Sequence, residues 1–330
     1  MTKTGEVRAK ATFTAPVVGG WTNAAPVLQP YARVANGLIF YVNAQGTISS
    51  LAPDGSVKRA TNLTLRPGQN IISFAVSPDG RKIAASILNY PPPHNPPPQS
   101  ISDPFLEPGE WWYDYATATV GQAAQRVVSR DLGTYPQVVQ PNGITTVVGW
   151  DQRGPVAVTD TTLATQGGIL SSLTPGMALV NLGADGSHLD QIGGAGCIPL
   201  DTTVSGDVIC YSSNAPGAPG VCPAQYLVNS ATGATLWSAS LNGCVSNPRL
   251  SPESDRFCTD SGVVHNKSGT TTSLPQSSLP QSDTCQGWVD DSTVVLFGAG
   301  QAYTFEVTSQ ARITLINGPG VRYLGTSGGS

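Results

Sequence analysis

Short runs of alternating apolar and polar residues, broken by tight polar turns, recur along nearly the whole chain, and six of them read as strand, turn, strand. These are residues 31–43 (YARVANGLIFYVN), 73–88 (SFAVSPDGRKIAASIL), 145–160 (TTVVGWDQRGPVAVTD), 197–212 (CIPLDTTVSGDVICYS), 244–261 (CVSNPRLSPESDRFCTDS) and 285–298 (CQGWVDDSTVVLFG). A second hairpin follows each of them, at 46–60, 113–130, 177–192, 225–241, 263–274 and 301–316. Two successive hairpins make a four-stranded unit that is too small to bury both of its faces alone. Six such units therefore predict an all-β chain folded as a β-propeller of six four-stranded blades. The segments 7–14 and 321–325 leave a seventh blade open. Two tandem immunoglobulin-like sandwiches compete with this reading, but they would repeat once, at half the chain length. The pattern places an N-terminal tail and ring-closing segment at 1–26, the propeller at 27–318 and a C-terminal tail at 319–330.

Within the second hairpin, Ser77-Pro78-Asp79-Gly80-Arg81 lies between Phe74-Ala75-Val76 and Ile83-Ala84-Ala85. Proline fixes φ at the first corner of such a turn, aspartate bonds the turn backbone, and glycine accepts a positive φ. Ser251-Pro252-Glu253-Ser254-Asp255-Arg256 is a degenerate second copy. In these two blades the chain resembles the WD40-like Pro-Asp repeat of TolB-type propellers. The resemblance implies the fold and leaves the activity open, because such propellers occur in periplasmic complex subunits, peptidase domains and sensor ectodomains. Asp79 is read as a turn former and not as a catalytic acid.

Composition narrows the partners. Only 12% of the 330 residues are charged, whereas Gly numbers 37 and Pro 27, so long amphipathic helices have little material. The net charge of −4 and the lack of any Lys/Arg run argue against nucleic acid. No run of 18 apolar residues is present, and residues 1–10 do not read as a signal peptide. The six cysteines Cys197, Cys210, Cys222, Cys244, Cys258 and Cys285 fall in one stretch without C-x2-C spacing. That pattern favours disulfides and an extracellular, cell-surface or periplasmic location, with any export signal or membrane anchor removed from this chain. Blade symmetry favours the pairs Cys210–Cys244, Cys258–Cys285 and Cys197–Cys222. The rival pairs strands within a blade, Cys197–Cys210 and Cys244–Cys258, and leaves Cys222 with Cys285 across two blades.

Long connections, where binding residues gather on rigid scaffolds, fall in blades two, three and four, at 89–112, 161–176 and 213–224. The first is proline-stiffened and runs into aromatic residues, which makes Tyr90, His94, Phe105, Trp111, Trp112, Tyr113 and Tyr115 the binding candidates. Flat aromatic surface suits a protein, peptide or glycan partner. Nucleophile-elbow, zinc-helix and phosphate-loop motifs are absent, so no catalytic residue is assigned and no cofactor is required. The competing class is a calcium-dependent hydrolase, lactonase or lyase with its ion in the central channel. Its weak ligand candidates are Asp201 and Asn247, beside Gln140, Asn142 and Gln286. Trp150 and Trp288, at equivalent turns, are expected to pack between blades. The sequence favours an exported, non-enzymatic binding or assembly module over the enzyme.

Overall fold

The computed structural model of the chain describes residues 6–13, 32–89, 107–135, 137–138, 144–161, 178–194, 197–212, 224–241, 248–259, 262–275, 284–298 and 301–317. Their strands form six four-stranded sheets, each ordered as in the sequence. Blade one holds β1 (Ala32–Ala35), β2 (Leu38–Val42), β3 (Thr47–Leu51) and β4 (Val57–Asn62). Blade two holds β5 (Gln69–Val76), β6 (Lys82–Asn89), β7 (Gly109–Thr119) and β8 (Gln125–Tyr135). Blade three holds β9 (Ile144–Trp150), β10 (Pro155–Thr161), β11 (Leu179–Leu182) and β12 (His188–Gln191). Blade four holds β13 (Cys197–Thr202), β14 (Val208–Ser212), β15 (Ala224–Asn229) and β16 (Thr235–Leu241). Blade five holds β17 (Arg249–Leu250), β18 (Arg256–Cys258), β19 (Val263–Asn266) and β20 (Thr271–Ser273). Blade six holds β21 (Thr284–Trp288), β22 (Thr293–Gly298), β23 (Gln301–Glu306) and β24 (Arg312–Asn317).

The chain is a six-bladed β-propeller with no helix among the described residues. Each hairpin expected from the alternation is formed. Residues 7–13 make no strand and 321–325 lie outside the described residues; the described strands make six blades. Chain contacts group into two compact units. One comprises Ala11–Ala52 with Ser56–Asp190 and carries blades one to three. The other, chiefly Gln191–Ser330, carries blades four to six.

In the first unit, strand β6 of blade two is buried on both faces, which is why it reads as an almost unbroken apolar run. Ile83, Ala85 and Ile87 pack with Phe40, Val42 and Ile48 of blade one, while Ala84 and Leu88 pack with Val147 and Ala157 of blade three. Full burial of a side chain such as Phe74 contributes about 1.5–3 kcal/mol. Polar side chains join neighbouring first strands: Arg33 Nε donates to Phe74 O at 2.8 Å, and Ser73 Oγ donates to Val147 O. Ser86 Oγ accepts from Val147 N at 3.0 Å and donates to Thr145 O at 2.9 Å.

The Pro-Asp turn is built as the sequence predicts. Ser77 Oγ donates to Asp79 Oδ1 (2.5 Å) and accepts from Lys82 N (2.8 Å), and Gly80 sits at φ 71°. The Ser77 hydroxyl and the Arg81 N–H hold the Asp79 carboxyl below the usual carboxylate range. In the blade-five copy Ser251 Oγ bonds Asp255 at 3.1 Å and accepts from Arg256 N at 3.2 Å. There the left-handed corner, φ 61°, is occupied by Ser254.

In the second unit an aromatic cluster fills the space between blades four and five. Phe257 stacks on Trp237 (5.4 Å) and on His265 (4.8 Å), and Trp237 Nε1 donates to Ser254 O at 2.6 Å. Trp288 is buried between blades five and six with its Nε1 donating to Arg249 O at 2.7 Å, whereas Trp150 is partly buried against the blade-two and blade-three core.

Cys258 of β18 is bonded to Cys285 of β21, joining blades five and six. Cys197 is bonded to Cys210, which replaces the expected Cys197–Cys222 and Cys210–Cys244 pairs. The reason lies in register: Cys197 faces Ser212 and Pro199 faces Cys210, so the two cysteines are diagonal neighbours on β13 and β14 with Cα atoms 5.1 Å apart. Cys222 and Cys244 lie outside the described residues. Two disulfides fit an oxidising compartment.

Candidate functional site

Strand β6 ends at Asn89 and β7 begins at Gly109, so the long connection of blade two springs from one end of this sheet. The link from β4 to β5 arrives at that same end, because successive antiparallel strands alternate direction. Three segments far apart in sequence therefore meet there. Trp112 lies directly across from Asn89 on β6 and Asp131 on β8, which puts the three side chains on one face of the sheet.

Two residues further along the same face is Asp114, fully buried. A buried carboxylate is tolerated only when its oxygens are bonded. Arg126 Nε lies 2.8 Å from Oδ2, Gln69 Nε2 donates to Oδ2 at 2.6 Å, and Ser129 Oγ donates to Oδ1 at 2.6 Å. Arg66 Nη2 stands 3.9 Å from Oδ1 and donates to Ser129 Oγ at 3.0 Å. The link itself is held in place: Arg126 Nη2 donates to Thr64 O at 3.0 Å, and Arg66 N donates to Gln69 Oε1 at 2.8 Å. Asp114 thus anchors both guanidinium groups.

Above this anchor the Arg66 guanidinium lies 5.2 Å from the centroid of the partly exposed Trp112 ring. The indole is fixed at its edge as well, with Nε1 donating to Glu110 Oε2 at 2.9 Å. Asn89 Nδ2 donates to Glu110 O at 2.9 Å, while Asn89 Oδ1 is buried without a partner. The result is an aromatic ring held on two sides and rimmed by a guanidinium, a carboxylate and an unsatisfied amide oxygen.

Of the aromatic residues singled out from the sequence, Trp112 alone among those described is partly exposed. Trp111, Tyr113 and Tyr115 are buried, on the opposite face of β7, in the core shared with blade three. Trp111 Nε1 donates to Val138 O at 3.0 Å and Tyr113 OH donates to Thr145 O at 2.6 Å. Burial, with Asp185 nearby, pushes the Tyr115 hydroxyl up to about 12. These three rings are packing residues because period-two alternation turns positions 111, 113 and 115 to the same side. Tyr90, His94 and Phe105 lie outside the described residues, as do the long connections of blades three and four. Arg66, Asn89, Asp114 and Arg126 carry no local motif. Only the acid set between aromatics in WWYDY signals that β7 buries a charge.

Of the inner-strand oxygen candidates, Asp201 Oδ2 accepts from Leu250 N at 2.8 Å, so it joins β13 to the first strand of blade five. Desolvation by burial raises its pKa against the opposing charge of Arg249. Gln286 Nε2 donates to Thr284 Oγ1 at 2.9 Å. Gln140, Asn142 and Asn247 lie outside the described residues. Among the described residues no three His, Cys, Asp or Glu side chains group as metal ligands.

No family model matches the chain, and no curated protein matches it. Among solved structures, an oligogalacturonate lyase in complex with manganese aligns over 86% of this chain and 75% of its own, at 10% identity and a TM-score of 0.49. A chain of the mitotic checkpoint complex aligns over 92% and 87%, at 11% identity and a TM-score of 0.48. A β-propeller domain from Myceliophteria thermophila aligns over 89% and 88%, at 11% identity and a TM-score of 0.44.

Proposed function

We propose that the chain is an exported binding or assembly module without chemistry of its own, which engages its partner through the end of the blades that carries the long connections. The observation that carries this reading is the fixed, partly exposed Trp112 beside Arg66 at the root of the blade-two connection. Side chains locked before a partner arrives lose little entropy on binding, so a small platform of this kind can contribute disproportionately to affinity. The disulfides support export. The calcium-enzyme reading draws less support. Its one clear carboxylate, Asp201, accepts from Leu250 N and so ties two first strands together, whereas a hard cation calls for several charged oxygens.

Capture from the native host tests the proposal. The chain as bait should retain a partner that a variant with residues 92–106 replaced by a short Gly-Ser turn loses, while both forms melt at the same temperature. Equal capture by both forms overturns the assignment of this end.

A further inference from the structure

We propose that the Trp112 face of blade two takes a neutral sugar ring, one pyranose unit of a polysaccharide, laid against the indole with its hydroxyls held by Asn89, Arg66 and Glu110. The proposal rests on the binding reading of this end of blade two and names the chemical class of its ligand.

A sugar ring offers an apolar face of C–H groups and a rim of hydroxyls, each of which both donates and accepts. The site offers the complement. The aromatic face is Trp112, which is partly exposed and held by Glu110 at its edge and by Arg66 over its ring. For donors, only Nη2 of Arg66 is engaged, with Ser129 and Asp114, so Nε and Nη1 are open among the described residues. For acceptors, Asn89 Oδ1 is buried without a partner, and a buried polar atom left unpaired costs about 1–3 kcal/mol, which a ligand hydroxyl would recover. The Glu110 carboxylate adds a second acceptor beside the indole edge.

Charge excludes the neighbouring ligand classes. Glu110 and Asp131 flank Trp112, so an acidic saccharide would meet two carboxylates beside Arg66. A cationic ligand would be repelled by the Arg66 guanidinium beside the ring, whereas a neutral sugar carries no charge to oppose it. Peptide recognition in aromatic grooves uses a row of pockets for alternate side chains. Here Trp111, Tyr113 and Tyr115 are buried, and among the described residues of β7 one ring remains.

Affinity electrophoresis of the intact chain through gels containing neutral polysaccharides (β-glucan, xylan, mannan, starch) or acidic ones (polygalacturonate, alginate) tests the assignment. At least one neutral polymer should retard the protein. Trp112→Ala should weaken that retardation by about tenfold, as expected for loss of one stacking ring. Trp112→Phe should restore part of it, and Glu110→Gln, an exposed change that spares the Asp114 anchor, should weaken it several-fold. Circular dichroism and melting establish that each variant is folded, and Glu110→Gln carries the test if Trp112→Ala is not. Retardation by acidic polymers alone, by none, or undiminished in Trp112→Ala and Glu110→Gln overturns the assignment. Host capture reads this surface whatever its ligand, so a negative gel series beside capture that depends on 92–106 removes the sugar and leaves the binding surface.

Discussion

The turn at Ser254 offers a direct reading of what the Pro-Asp motif contributes energetically. Ser254 occupies the left-handed corner at φ 61°, which Gly80 fills in the blade-two copy at φ 71°, and its buried Oγ has no hydrogen-bond partner. Left-handed geometry costs a residue with a Cβ about 1–2 kcal/mol. The unpaired buried hydroxyl costs about 1–3 kcal/mol more. Against this, glycine gives the unfolded chain about 0.5–1 kcal/mol of extra entropy, and one buried methylene is worth about 0.8 kcal/mol. Ser254→Gly should therefore stabilise the protein by roughly 1–2 kcal/mol, a melting temperature higher by about 1.5–3 °C for a chain of this size. Ser254→Ala separates the terms, since it removes the hydroxyl and keeps the strained corner, and it should give a gain of similar size, the ~1–3 kcal/mol of the hydroxyl alone. The reciprocal change Gly80→Ser should destabilise, because a Cβ there stands 3.1 Å from the Asn36 Cβ at a positive φ. Differential scanning calorimetry of the three variants decides the matter: a Ser254→Gly protein that melts at or below the parent temperature would refute the reasoning.

Further outcomes follow from the same geometry. Tyr113→Phe should lower stability by about 1–2 kcal/mol, because its hydroxyl donates to Thr145 O, whereas Tyr115→Phe should be neutral or stabilising, its buried hydroxyl having no partner; urea titration of both variants separates them. Burial lowers the pKa of His265 from 6.5, so the unfolded chain binds the extra proton and stability is full above pH 6.5 and lost as pH falls below it. His265→Phe should flatten that decline in melting curves between pH 5 and 7.5; an unchanged slope would show that His265 does not carry it. Replacing Cys258 and Cys285 together by Ser should cost about 3.5 kcal/mol from loop-closure entropy over their sequence separation of 27. A denaturation midpoint within error of the parent would contradict that figure.

The fold was legible because each blade announces itself twice, as two hairpins with turn residues between alternating runs. Ser77 to Arg81 and the degenerate Ser251 to Arg256 were readable down to the hydrogen bonds they make. The site was only half legible. WWYDY drew attention to the right strand, but alternation sends Trp111, Tyr113 and Tyr115 into the core and leaves Trp112 at the surface. The partners of Asp114 escaped because they come from outside its strand: Gln69 and Ser129 are 45 and 15 residues away and meet it only once the blade is paired. The cysteine pairing in blade four stood only in the rival scheme, for a local reason. Symmetry between blades suggests bonds from one sheet to the next, yet the register of β13 against β14 brings Cys197 and Cys210 together first.

All six cysteines fall between Cys197 and Cys285, so the unit that carries blades one to three contains none. During biogenesis that half emerges first, and its sheets can close on hydrogen bonds and apolar packing in any redox environment. The half made last depends on an oxidant to fasten β13 to β14 and blade five to blade six. A reductant therefore has bonds to break in the C-terminal blades and none in blades one to three, so its effect on the chain falls on one half.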